Sequence, residues 1–215
     1  MIKISNLGFG YPDGQEVFSD LDFEYGPGGR VGLMGANGSG KTTLLRLITG
    51  LLKPLAGRIE IFSKPRRTEK DFTEVRKRIG FLFQEPDNQL FCPTVREEIA
   101  FGPLNLGKPR NAVVKIVDKT CGSLGISNLK DKITLHLSGG EKRLVAFASV
   151  VSMRPEILLL DEPTNDLDSR KKEIVVEYLK NSCGAFILVA QDEELFKTLR
   201  MDKFYKLENS KLKLL

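Results

Sequence analysis

A glycine-rich loop between an apolar run and a helical pattern constrains the fold of this chain more than any other feature. The segment GANGSGKT at residues 35–42 fits the pattern G-x-x-x-x-G-K-[ST] and follows an apolar run at 31–34 that predicts a short buried strand. Apolar residues with helical spacing follow at 44–48. Loop glycines let backbone N–H groups approach phosphate oxygens, and a helix N-terminus favours the anion. The sequence therefore predicts a site for a nucleoside triphosphate.

The side chains of this loop have different predicted tasks. Lys41 is expected to reach the β- and γ-phosphates, and Thr42 to offer its hydroxyl to Mg²⁺. The residues predicted to contact the nucleotide here are Gly35, Asn37, Gly38, Ser39, Gly40, Lys41, Thr42 and Thr43.

An acidic pair follows a second apolar run. Residues 157–160 are continuously apolar, which is typical of a central parallel strand, and Asp161 and Glu162 come directly after them. Ligands bind at the carboxyl ends of strands in open α/β sheets. Asp161 is therefore expected to hold Mg²⁺ directly or through water, and Glu162 to take or orient a proton of the attacking water.

A second element with an uncovered helix start lies at residues 138–151. Ser138 and Glu141 match a capping box, and the apolar residues that follow have helical spacing. Gly139 and Gly140 leave the first backbone amides of this helix uncovered, which makes it an anion site as well. One chain thus carries two predicted phosphate-binding elements.

Composition excludes several classes of protein. No run of eighteen apolar residues occurs, and the first residues lack the pattern of a signal peptide, so we expect no membrane span. Cys92, Cys121 and Cys183 have no metal-ligand spacing, which suggests reduced thiols in the cytosol, and the one histidine, His136, is expected to cap or pack. The net charge of +5 is compatible with an acidic membrane surface or a polyanion, but a solvated basic surface is favoured.

The motifs together resemble one family. LSGGEKR at 137–143, between GANGSGKTT and ILLLDEPTNDLD, is similar to the signature of the ATP-binding cassette (ABC) family. The resemblance implies an α/β fold with a P-loop NTPase (RecA-like) core around a parallel sheet, an antiparallel β subdomain, and a helical subdomain at about 85–144, all within one nucleotide-binding domain over 1–215. We expect the antiparallel sheet to combine the N-terminal segment with residues near 57–62.

In that family two cassettes pair head to tail, so the resemblance implies that each ATP, with Mg²⁺, contacts both chains. Ser138, Gly139 and Gly140 would then cover the γ-phosphate held by a second cassette, and Asp168, within the segment 165–168, would link the two sites. Gln84 matches the glutamine that contacts Mg²⁺ and water. Tyr11 stands where an aromatic ring usually packs on adenine, although Phe9 is a rival and Tyr11 could instead pack within a strand.

A narrower resemblance lies in residues 81–110. PDNQLF and TVREEIAFGPLNLG are similar to segments of cobalt-type and other energy-coupling-factor importers. This implies a cassette on the cytoplasmic face of the cell membrane that drives a transmembrane coupling protein, with a separate membrane component that binds a metal ion or vitamin. The region 85–105 would face the membrane partner. No nucleic acid is expected as a partner.

One position departs from the family pattern. The apolar run 186–190 predicts a buried strand, and Gln191 follows it where the family places a histidine that contacts the γ-phosphate. A glutamine amide can donate a hydrogen bond to phosphate but cannot take a proton near neutral pH. We therefore expect ATP binding to survive better than turnover, and a low-turnover cassette in an asymmetric heterodimer is an alternative. A soluble cassette acting on DNA or ribosomes, and a P-loop kinase, are less favoured.

Overall fold

Two sheets and seven α-helices make up the protein, and the computed structural model describes residues 1–215. The strands are β1 (Ile2–Gly10), β2 (Glu16–Tyr25), β3 (Arg30–Met34), β4 (Ala56–Ile61), β5 (Lys64–Arg66), β6 (Ile79–Leu82), β7 (Ile157–Asp161), β8 (Phe186–Val189), β9 (Lys203–Glu208) and β10 (Lys211–Leu214). The helices are α1 (Lys41–Ile48), α2 (Glu69–Arg76), α3 (Val95–Asn105), α4 (Arg110–Ser123), α5 (Gly139–Val151), α6 (Ser169–Ser182) and α7 (Glu193–Leu199).

The larger sheet has the strand order β10-β9-β3-β8-β7-β6. The five strands from β9 to β6 are parallel, as the continuous apolar runs predict, and β10 pairs antiparallel with β9. Asn209 and Ser210, both at positive φ, form the two-residue turn between β9 and β10. The parallel core is therefore confirmed, and its loops at the carboxyl ends of the strands lie along one edge.

The smaller sheet is antiparallel, with the order β2-β1-β4-β5. It combines the N-terminal segment with residues 56–66, which confirms the expected antiparallel sheet and the α/β fold class. The chain thus has a parallel and an antiparallel layer, and β3 follows directly from β2 into the larger sheet.

The parallel sheet separates two apolar clusters. Side chains alternate along β7, so that Ile157 and Leu159 pack in the cluster with α1 and the smaller sheet, whereas Leu158 and Leu160 pack in the cluster with α5 and α6. Burial on both faces fixes the register of β7, because a slip by one residue would exchange these two sets. The position of Asp161 at the end of β7 follows from that register.

The segment between β6 and β7 contains α3, α4 and α5. Thr94 and Ser138 begin α3 and α5 with capping boxes, and the second of these was predicted from the sequence. Helix α5 packs against α3, α4, α6 and β6 and extends past residue 144 into the core, so it belongs structurally to both regions. None of the seven helices combines the length and hydrophobicity that crossing a bilayer requires.

Candidate active site

The carboxyl ends of β3, β6, β7 and β8 converge on one cleft. Each strand places a different loop there: the glycine-rich loop follows β3, and Gln84, Glu162 and Gln191 follow β6, β7 and β8. The cleft has a volume of about 630 Å³. It is lined by Tyr11, Gln15, Val17, Asn37, Gly38, Gly40, Lys41, Thr42, Thr43, Gln84, Glu162, Asn165 and Gln191.

The shape of the glycine-rich loop depends on a left-handed glycine and on the Lys41 side chain. Gly40, the N-cap residue of α1, has φ 103°, and a Cβ atom there would lie 2.6 Å from Cγ1 of Val17. Lys41 Nζ donates hydrogen bonds of 2.8 Å to the carbonyl oxygens of Gly35 and Ala36. Burial lowers the pKa of Lys41, and the charges of Glu162 and Asp161 oppose that effect. The lysine is therefore a buried cation that an anion in the cleft would stabilise.

Asp161 and Thr42 place two side-chain oxygen groups, a carboxylate and a hydroxyl, next to each other. Thr42 Oγ1 donates a 2.6 Å hydrogen bond to Asp161 Oδ2, while Oδ1 of the same carboxylate is buried and has no hydrogen-bond partner. Ser39 Oγ is also buried without a partner. Burial raises the pKa of Asp161, which is only 1% exposed. An unpaired buried carboxylate oxygen next to a hydroxyl is the kind of oxygen donor set that Mg²⁺ prefers, so these residues fit the expected ion.

Glu162 is held from two sides. Its Oε1 accepts a 3.2 Å hydrogen bond from Gln191 Nε2, and its Oε2 accepts one from Asn165 Nδ2. Gln191 Nε2 also donates a 2.9 Å hydrogen bond to Asn37 Oδ1 in the glycine-rich loop. The Gln191 amide therefore bridges the loop and the Glu162 carboxylate, which are separated by more than a hundred positions in the sequence.

Tyr11 and Gln84 also line the cleft. The hydroxyl groups of Tyr11 and Thr43 share a hydrogen bond of 2.9 Å, so the ring of Tyr11 lies beside the start of α1. Phe9 is buried and packs edge-on against Tyr11, with ring centroids 5.1 Å apart. Phe9 is therefore less accessible to a ligand than Tyr11, the other candidate for packing on adenine. Gln84 is exposed and forms no hydrogen bond with protein groups.

Seven of the predicted site residues are not in the lining of this cleft. Gly35 and Ser39 belong to the glycine-rich loop and Asp161 bonds Thr42, whereas the other four lie on other elements. Ser138, Gly139 and Gly140 begin α5, where Ser138 Oγ accepts a hydrogen bond from the backbone N–H of Glu141. Asp168 caps α6, with Oδ1 accepting a 2.9 Å hydrogen bond from the backbone N–H of Lys171. His136 is exposed and forms no side-chain hydrogen bond, so the expectation that it caps or packs is wrong.

Two residues of the cleft, Gln15 and Val17, were not predicted from the sequence. Gln15 and Val17 lie in the turn after β1 and at the start of β2, and they reach the cleft because β1 and β2 pack beside α1. Asn165 was assigned to the segment 165–168 that links two cassettes, but its hydrogen bond to Glu162 was not anticipated.

Comparison with known proteins assigns the chain to a family. Residues 18–165 match the family model described as ABC transporter. The chain belongs to the ABC transporter ATP-binding family. A Brucella suis protein named as an ABC transporter ATP-binding protein is 46% identical over 200 residues, which cover 93% of this chain and 83% of that protein.

Two further relatives come from the energy-coupling-factor and cobalt groups. The energy-coupling factor transporter ATP-binding protein EcfA of Methanocaldococcus jannaschii is 39% identical over 215 residues, covering 99% of this chain and 77% of EcfA. The solved structure of CbiO1 from Clostridium perfringens, described as part of the ABC transporter complex CbiONQ, has 34% identity and a TM-score of 0.84, covering 99% of this chain and 86% of CbiO1. This ABC ATPase binds ATP, and its resemblance to the energy-coupling-factor group is supported by both relatives.

Proposed function

We propose that this ABC ATPase powers an energy-coupling-factor or cobalt-type importer for a metal ion or vitamin. It would work on the cytoplasmic face of the cell membrane, in a head-to-tail dimer of cassettes docked on a transmembrane coupling protein, with a separate membrane component that binds the substrate. The convergence of Lys41, Asp161, Glu162 and Gln191 at one cleft carries the ATPase part of this proposal. The names of EcfA and CbiO1 support the transport part.

The residues of the cleft suggest how ATP is held. Tyr11 would pack on the adenine, and the backbone N–H groups of the glycine-rich loop would contact the phosphates. Lys41 would exchange its bonds to the Gly35 and Ala36 carbonyl oxygens for bonds to the β- and γ-phosphates. The exchange is favourable because a buried cation gains an anionic partner.

Hydrolysis requires a base, an aligned water and neutralised phosphate charge. Glu162 would take a proton from the attacking water. Gln191 would keep its bond to Glu162 and exchange its bond to Asn37 for one to the γ-phosphate. Thr42, Asp161 and Gln84 would hold Mg²⁺, which when bound neutralises charge on the phosphates. From the partner cassette, Ser138, Gly139 and Gly140 would add N–H groups at the γ-phosphate, and Asp168 would link the two sites.

An apolar groove offers a docking place for the transmembrane coupling protein. The groove has a volume of about 570 Å³ and lies between the core and α3. The rings of Phe91 and Phe101 pack edge-on, 4.7 Å apart, yet they are 64% and 44% exposed. Glu98, buried beneath them, accepts hydrogen bonds from the backbone N–H groups of Phe91 and Cys92, which fixes the loop. Exposed aromatic rings on this fixed loop and on α3 suit a helix of a membrane protein.

Replacing Phe101 with aspartate is expected to release the chain from membranes. A charge in the groove would have to be desolvated on docking, so the membrane-bound fraction of the tagged chain should fall at least about fivefold in cells that encode it. Val114→Asp is the matched control, because Val114 is also exposed, at 52%, but lies on α4 outside the groove. Equal membrane binding by both variants, or release of the wild type by nuclease treatment, would contradict the proposed partner.

A low-turnover partner cassette is the second candidate, and Gln191 favours it. The side-chain amide of Gln191 is engaged with Asn37 and Glu162 and cannot accept a proton at neutral pH. Such a chain would bind ATP, present its own α5 to a faster cassette, and turn over slowly at its own glycine-rich loop.

Gln191→His is expected to raise kcat for ATP by at least about tenfold, which corresponds to about 1.4 kcal/mol of barrier. The imidazole can contact the γ-phosphate and share a proton, which the amide cannot. Steady-state hydrolysis and ATP affinity should be measured together, with Gln191→Asn as the control for shortening the amide. A wild-type chain that is already fast, with no gain from histidine, would remove the reason for an asymmetric dimer.

A further inference from the structure

Arg143 is a buried cation whose polar side-chain partners both lie in one turn, the turn after β7. It lies in the second turn of α5 and is 3% exposed. Its Nη1 donates a 3.1 Å hydrogen bond to the backbone carbonyl oxygen of Glu162, and its Nη2 lies 3.5 Å from Oδ2 of Asp166. Burying a guanidinium costs free energy unless its donors and charge are paired, so these two contacts determine what Arg143 does.

The turn that Arg143 contacts has an unusual backbone. Glu162 has φ 49° and Asp166 has φ 57°, both in the left-handed region, which costs non-glycine residues about 1 kcal/mol each. The backbone N–H of Glu162 donates to the Val189 carbonyl oxygen at 2.9 Å. Arg143 therefore contacts both left-handed residues of the turn whose conformation directs the Glu162 carboxylate toward Gln191.

The neighbouring residue on α5 has a different partner. Lys142 pairs with Asp87, in the loop after β6, at 2.6 Å. The ion pair between Arg143 and Asp166 is weak, because its atoms are 3.5 Å apart and the Asp166 side chain is 85% exposed to solvent. The bond to the Glu162 carbonyl oxygen is therefore the principal interaction of Arg143, and it acts on the backbone of the proposed base.

We propose that Arg143 is a positioning residue for Glu162. It holds the Glu162 backbone in the left-handed conformation and ties it to α5. Gly139 and Gly140, one turn earlier on the same helix, are proposed to cover the partner's nucleotide. Helix α5 thus joins the element that contacts the partner's ATP to the carboxylate that serves this chain's ATP. The inference rests on the proposed role of Glu162.

The test is ATP hydrolysis by Arg143→Met and Arg143→Lys. We expect kcat to fall on the order of 10- to 100-fold for Met and less for Lys, because a displaced base loses alignment with the water. The KM and the ATP affinity should stay within about twofold, since Arg143 does not line the cleft. Arg154→Lys is the control, because Arg154 is exposed and forms no ion pair. Its kcat should not change.

A double variant separates this inference from the proposed function. If Arg143 acts through Glu162, Arg143→Met adds less than about twofold to the loss caused by Glu162→Gln, because the two residues form one unit. Full additivity, or a kcat of Arg143→Met within about threefold of the wild type, would overturn the inference alone. A Glu162→Gln variant as fast as the wild type would instead overturn the role of Glu162. If the Met variant does not fold, as judged by thermal unfolding, the Lys variant decides by the same comparison.

Discussion

Replacing Glu162 with glutamine is expected to lower kcat for ATP hydrolysis by a factor on the order of 10² to 10⁴ while ATP remains bound. Glutamine preserves the size of the side chain and can still accept one of the two hydrogen bonds now donated by Gln191 and Asn165. It cannot take a proton from water. Steady-state hydrolysis measures the loss, and equilibrium binding of ATP measures what is retained.

Glu173→Gln is the matched control for this variant. Glu173 is exposed on α6 and forms no ion pair, so its replacement should leave both hydrolysis and binding unchanged. The stalled variant should also remain longer in an ATP-dependent dimer, which the mass in solution reports, because a site that does not hydrolyse keeps its nucleotide. A kcat within about threefold of the wild type would place the base elsewhere in the cleft.

The parts of the fold that were predictable from sequence are those with local signals. The runs that became β3, β7 and β8 are continuously apolar because both faces of a parallel sheet are covered. The start of α5 was predictable because the capping box of Ser138 and Glu141 involves only neighbouring residues. The loop at 35–42 combines fixed residue types with fixed spacing, so it could be assigned to phosphate binding before any contact was known.

Side-chain contacts across the sequence had no such signal. The sequence predicted that Gln191 and Glu162 follow parallel strands, and hence that they share an edge. It did not predict that one amide nitrogen of Gln191 would bond both Asn37 and Glu162, because that depends on distances set by the packing of β3, β7 and β8. The contact of Arg143 with the Glu162 carbonyl oxygen is of the same kind, since it depends on where α5 crosses the end of β7.

The buried carboxylate of Asp161 is expected to destabilise the protein when no nucleotide or Mg²⁺ is bound. Burial raises the pKa of Asp161 above its ordinary value of 3.8, so the folded chain binds this proton more tightly than the unfolded chain. The resulting loss of stability is absent below pH 3.8 and fully present above the raised pKa. Asparagine can still accept the Thr42 hydrogen bond without the charge, so Asp161→Asn should raise Tm at pH 7 by a few degrees, with each 1 kcal/mol giving about 2–4 °C.

With ATP and Mg²⁺ present, the wild type should have a higher Tm than Asp161→Asn, which reverses the order expected without nucleotide. The wild type gains stability as its nucleotide site fills, by about 2.7 kcal/mol at a ligand concentration one hundred times Kd. Asp161→Asn lacks the charged oxygen proposed to hold the ion, so its Mg²⁺-dependent affinity for ATP should fall on the order of 10²-fold, and adding ATP and Mg²⁺ should barely change its Tm.

Asp131→Asn is the control, because it removes an exposed carboxylate paired with Arg96 and should behave as the wild type. If ATP and Mg²⁺ raise the Tm of the wild type and of Asp161→Asn equally, Asp161 is not the ion ligand. If Asp161→Asn has the same Tm as the wild type without nucleotide, only the claim that the buried charge destabilises the free protein is refuted. The reversal therefore tests, in one thermal experiment, whether the charge that destabilises the free chain is the charge that binds the ion.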